Sequence, residues 1–199
     1  MFKFCKIISA IFSPLLVPTY AMILATHLSI LSILPAGALW GTVGVVFLIT
    51  AFIPAVGIMT LYRTGVVSDT GLNNRTERTI PYIIVVLCYA ACAFFLFRAG
   101  APEWLPMFFA GAACATVINI IVNRWWKISA HAAAMGGLVA MLFRITDFHQ
   151  AIVTMDVWLS AAILLTGLVM SARVYMQRHT LLQVLAGAAN GFLCVWFIV

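Results

Sequence analysis

The fold class predicted by the sequence is all-α: a polytopic transmembrane bundle of about six to seven helices, forming one domain over residues 1–199. Three observations predict it. Of 199 residues, 65% are hydrophobic and 8% charged, where a soluble domain usually carries about 25% charged residues. Mean hydropathy is +1.14. Apolar runs recur at lengths that suit a hydrocarbon core of about 30 Å at 1.5 Å per residue, and no polar stretch is long enough for a second domain.

The first run, residues 8–32, follows Lys3 and Lys6 and resembles a signal peptide. It continues past Leu28, longer than a secretory apolar region, and contains Pro14 and Pro18. A retained, kinked transmembrane helix is expected there. The second run, 38–62, is followed by a polar loop holding Asp69, Asn73, Asn74, Arg75, Glu77 and Arg78. The third and fourth, 81–98 and 104–122, precede Asn123 to His131; Asn119 and Asn123 are expected to bond between helices. The fifth, 129–144, is short, and the sixth, 151–172, contains Asp156 near the end away from the polar loops. Between it and the seventh, 180–199, lies Ser171 to Gln183, with Arg173, His179 and Gln183. Gly187 with Gly191, Gly111 with Ala115, and the pair Gly136–Gly137 fit close helix packing. Tyr62, Trp104, Trp125 and Trp126 fall at run ends, as an aromatic belt would.

Two runs precede the first polar loop and two separate each later pair, so all three loops share a membrane face with the amino terminus. That face carries nine basic residues, Lys3, Lys6, Arg63, Arg75, Arg78, Arg124, Lys127, Arg173 and Arg178, against Arg98 and Arg144 opposite. The positive-inside rule then places the loops in the cytoplasm, and the chain is expected in a bacterial inner membrane. The net charge of +6 is spent at helix ends, so lipid headgroups fit better than nucleic acid. The five cysteines show no metal-ligand spacing, and neither disulfide, metal nor cofactor is expected. His27 and His149 read as interfacial residues, and no facing pair of histidines fits a haem.

Arg75, Arg78, Lys127, Arg173 and Arg178 beside His131 and His179 form a cation cluster that needs an anion. Arginine holds phosphate oxygens with a planar fork and lysine adds a point charge. Two imidazoles can divide phosphoryl transfer, one attacking phosphorus and one protonating the leaving oxygen, while the cations stabilise the equatorial charge.

These loops resemble the signatures of the type 2 phosphatidic acid phosphatase family. The family's third signature is Ser-Arg, five residues, His, three residues, Asp; here stand Ala172-Arg173, five residues, His179, three residues, Gln183. The second, Pro-Ser-Gly-His, is matched by Ile128-Ser129-Ala130-His131. The first, a Lys, six residues, then Arg-Pro, resembles only Arg75 to Pro81, with Gly71 at the Lys position. The resemblance implies that His179 is the nucleophile and His131 the general acid. It places Arg173 and Arg78 on the phosphate with Ser129, while Arg75 and Lys127 are added by charge and location. Gln183, in place of Asp, would hold the imidazole across one helix face without countering an imidazolium.

The expected activity is metal-independent hydrolysis of a membrane lipid phosphate or diphosphate, such as a polyprenyl diphosphate or phosphatidic acid, through a phosphohistidine. The alternative is a weak or inactive relative that binds or moves a phosphorylated lipid; an unrelated anion transporter ranks third. Expected partners are the lipid substrate and membrane lipids, with a homo-oligomer left open.

Overall fold

Proline 14 sets the first departure from the predicted plan. The computed structural model describes residues 1–199, and the run expected as one kinked helix is broken into α1 (Phe2–Ile11) and α2 (Val17–Leu28). Pro14 cannot donate the amide that would bond Ala10 and continue α1, and it disfavours helical geometry at Ser13. Pro18 does no damage, because it lies in the first turn of α2, where amides have no helical partner. The break is pinned by Tyr89, whose hydroxyl donates to the Pro14 carbonyl at 3.1 Å.

Next comes α3 (Ala36–Arg63), which contains a π turn at Leu48–Phe52 just before Pro54. The wider turn absorbs the proline without ending the helix. A 3₁₀ turn, Arg75–Arg78, leads into α4 (Thr79–Arg98); then follow α5 (Trp104–Val122), α6 (Ala130–Asp147), α7 (Asp156–Tyr175) and α8 (Leu181–Ile198). The protein is all-α with eight helices. Five helical segments are long and apolar enough to cross a membrane: Ala36–Arg63, Arg75–Arg98, Trp104–Val122, Asp156–Tyr175 and Leu181–Ile198.

The short fifth run is the centre of the bundle. Eleven of the eighteen residues of α6 are buried, whereas no more than 39% of the core window of any of the five long segments is. Helix α6 is sheathed by protein, so its weaker apolarity is tolerated. Its closest partner is α8: a Cβ on Gly136 would meet the Ala188 carbonyl, and one on Gly191 the Ala133 carbonyl. Backbones this close gain dispersion contact that larger residues would forbid. Gly111 of α5 packs as tightly on α8, a Cβ there lying 2.9 Å from Val195 Cα.

Trp104 departs from the aromatic belt. It is buried with its Nε1 unpartnered, while Tyr62, Trp125 and Trp126 are exposed as expected. At the end remote from the polar loops, Arg144 pairs with Asp147 at 3.5 Å and lies over the Phe148 and Trp196 rings. Ile30 there donates its amide to the Gln150 carbonyl, tying the end of α2 to the α6–α7 connection.

Candidate active site

The spacing between Arg173 and His179 is that of a tight corner between two helices. Helix α7 ends with Gln177 in left-handed geometry (φ 55°). The Arg178 amide donates to the Arg173 carbonyl at 3.0 Å and the Gln177 amide to Val174 at 2.8 Å, the bond pair of a Schellman turn. Thr180 then caps α8, its side chain accepting from the Gln183 amide. His179 therefore precedes the helix, and the expected contact along one helix face is replaced by another device. In the capping box, Gln183 folds back so that Oε1 accepts from the Thr180 amide at 3.2 Å and stands 3.2 Å from His179 Nδ1.

This geometry fixes a tautomer. A backbone amide can only donate, so the Gln183 atom facing it is the oxygen, and His179 Nδ1 must be the protonated nitrogen. The lone pair then lies on Nε2, as a nucleophile requires.

The second loop docks on this corner. The Ser129 amide donates to the Gln183 carbonyl at 3.3 Å, and the buried Ser129 hydroxyl caps α6 by accepting from Ala132 at 3.4 Å. His131 follows in the first turn of α6. The first loop reaches the same place: Arg78 Nε donates to the Leu72 carbonyl at 2.8 Å and Nη1 to Ile128 at 3.2 Å. Arg75 Nη1 donates to the Arg124 carbonyl at 2.9 Å, and the Asn123 side chain donates to the Arg75 carbonyl at 2.8 Å. Arg75 thus joins two loops on the exposed side, whereas Arg78 and Arg173 are buried. Asn119 accepts from Asn190 Nδ2 at 3.1 Å, the interhelical bond expected of it.

Sequence reasoning missed Ser9. Its buried Oγ accepts from Arg173 Nη1 at 2.8 Å and stands 3.2 Å from His131 Nε2, and its carbonyl lies 3.1 Å from the same nitrogen. The available signal was a small polar residue three positions after Lys6 on a helix that Pro14 stops. Both Lys6 and Ser9 line a cavity of about 710 Å³. Its polar end also has His131, Arg173, Arg178 and the Asp69–Asn73 stretch; its apolar end runs between Val85, Phe108, Ala134 and Val195. Arg78, Lys127 and His179 do not line it.

The cations have no acidic partner, for the Arg144–Asp147 pair is the protein's single salt bridge. The nearby acids are turned onto their own loop: Asp69 accepts from Gly71 and Asn73, and Glu77 from Ser68 and Asn74. Arg173 Nε is buried without any partner. Burial, then the charges of Arg173, Arg78 and Lys127, pushes His179 down to about 3, so its ring is neutral near pH 7. Burial and then Arg78, Arg173 and Arg178 lower Lys127 as well. The site is an uncompensated positive pocket around a neutral imidazole. No group of three or more His, Cys, Asp or Glu side chains comes together in a metal-binding arrangement.

No curated protein and no solved structure matches the chain. A family model does match, over the residues that hold the second loop, the α7–α8 corner and the central α6–α8 pair: residues 124–199 are similar to the PAP2 superfamily.

Proposed function

We propose that the protein hydrolyses a membrane lipid phosphate or diphosphate through a phosphohistidine formed on His179. The similarity of residues 124–199 to the PAP2 superfamily supports a phosphatase-type activity. The observation that carries the finer reading is the unpaired cation cluster around His179, whose Nε2 is left as a lone pair, with Arg173, Arg178 and His131 lining the polar end of the adjoining cavity. Arg173, Arg78, Lys127 and Arg178 hold the phosphate oxygens, with Arg75 bracing the loops and Ser129 capping the adjacent helix. His179 Nε2 attacks phosphorus, the bond to the lipid oxygen breaks, and His131, which takes up a proton on Nδ1 when the phosphate anion binds, gives that proton to the oxygen. Water then attacks the phosphohistidine, His131 takes its proton, and phosphate leaves with His179 neutral again. The apolar end of the cavity receives a lipid chain. The route uses side chains alone, and the excess of bases on the motif face supports a cytoplasmic site.

Phosphate release from a panel of lipid mono- and diphosphates in detergent tests this reading. His179→Ala is expected to lower turnover roughly a thousand-fold or more. Retained turnover in that variant overturns the phosphohistidine, and loss of wild-type turnover in EDTA overturns the metal-free route. A second reading, binding without turnover, is favoured by Gln183, which cannot counter an imidazolium, and by His179 standing outside the cavity lining. Wild-type protein that binds the panel and releases no phosphate would establish it. Labelling of a cysteine introduced at Arg63 reads the sidedness.

A further inference from the structure

We propose that Ser9, on a helix outside residues 124–199, is a positioning residue for Arg173 and His131, so that α1 completes the phosphate site. The inference rests on the functional reading above for its kinetic arm and on geometry for the rest.

The chain of causes begins at Pro14. Helix α1 stops at Ile11, and the amides of Phe12 and Ser13 go to Ile8 and Ala10. The Ser9 carbonyl therefore receives no backbone donor, one of the orphans that every helix end leaves. His131 Nε2 lies 3.1 Å from it. A carbonyl only accepts, so Nε2 carries the proton, which fixes the tautomer of His131 and aims its N–H at Ser9. The two histidines thus hold complementary tautomers: His179 keeps a bare Nε2 for phosphorus, and His131 a protonated Nε2 tied to Ser9, which leaves its Nδ1 for proton transfer.

The Ser9 hydroxyl does the second half of the work. Its Oγ accepts from Arg173 Nη1 at 2.8 Å, a charge-assisted bond and the only side-chain partner the Arg173 guanidinium has. The carboxy-terminal end of α1 also turns the negative end of its dipole towards this guanidinium. Without Ser9, Arg173 would keep no fixed direction in a pocket crowded by like charges. With it, one Nη is tethered and the unpartnered Nε edge is left for an anion. The residue types suit the role: a long side chain would extend into the cavity, and an acid would cancel the cation that the phosphate needs.

The test uses the full chain in detergent, with kcat and KM on a lipid phosphate and, independently, orthovanadate binding by calorimetry. Ser9→Ala is expected to lower kcat/KM by about ten- to a hundred-fold, the usual consequence of losing a hydrogen bond to a charged group. It should weaken vanadate comparably while leaving the melting temperature within a few degrees. Ser9→Thr, which keeps the hydroxyl, should recover most of both. On an Arg173→Ala background, Ser9→Ala should cost little more. Unchanged or improved activity and vanadate binding in Ser9→Ala would overturn the proposal, showing a hydroxyl that merely fills the phosphate's place. Equal impairment in Ser9→Thr, or full additivity with Arg173→Ala, would overturn it in favour of packing. If the wild type turns over no lipid phosphate, the functional reading fails, and vanadate binding still decides the role of Ser9.

Discussion

The glycines in the first half of α3 and those where α6 meets α8 have opposite surroundings. Gly37, Gly41 and Gly44 would each accept a Cβ with nothing within 4 Å, whereas Gly136 and Gly191 face backbone carbonyls of the partner helix. The carboxy-terminal part is a close-packed pair whose backbones hold the second loop against the α7–α8 corner. The amino-terminal part is looser and lends walls and single groups: Ser9, Arg78 and the apolar end of the cavity. One region is a frame and the other completes it. Gly191→Val is therefore the change of largest expected effect. Overpacking costs about 1–3 kcal/mol where neighbours can shift, and a carbonyl in a central helix cannot, so loss of folded protein is expected. Gly44→Val should be tolerated. Thermal melting in detergent, followed by size-exclusion chromatography, compares the two; a Gly191→Val protein that melts with the wild type would remove the distinction.

How much was legible in the sequence follows the same division. Apolar run length and loop spacing fixed the helices from α3 onward and brought all three loops to one face, because those depend on local composition, whereas the first run is broken at Pro14. The corner that sets Arg173 beside His179 was legible because a turn between two helices is a short-range device with a fixed residue count. Ser9 was not legible, because its partners are more than a hundred residues away and its only local trace is Pro14 five residues on. The relation of His179 to Gln183 was half right: the pair is in contact, through a capping box rather than a shared helix face. Trp104 was misread because a tryptophan at a run end looks the same whether it faces lipid or the core.

His179 gives a test of the frame's electrostatics. With its folded value near 3 and an unfolded value of about 6.5, the unfolded chain takes up the proton first as pH falls. The contribution to stability is thus intact above about 6.5 and is lost between that pH and about 3. Histidine NMR in detergent should show His179 neutral at pH 5 in the free protein, with the proton on Nδ1. Bound orthovanadate should raise its titration midpoint, since an anion offsets Arg173, Arg78 and Lys127. A free-protein midpoint near 6.5 would mean that the cations do not act on this ring.

The smallest effect expected concerns how helices end in the two regions. Four of them close with the same pair of bonds around a left-handed residue. In the amino-terminal part that residue is Gly65 after α3 or Gly100 after α4; in the carboxy-terminal part it is His149 after α6 or Gln177 after α7. Left-handed geometry costs a residue with a Cβ roughly 1 kcal/mol more than glycine. Gln177→Gly should then stabilise the protein by about 1 kcal/mol, and Gly65→Ala should destabilise it by a similar amount. The two substitutions thus have opposite signs at equivalent positions, and melting curves in one detergent measure both. Gln177 also sets the distance between Arg173 and His179, so activity in Gln177→Gly separates two reasons for a non-glycine residue at this corner. If stability rises and turnover falls, the strained residue stiffens the site. If stability fails to rise, the corner is not strained, and its geometry is set by the capping box of α8 alone.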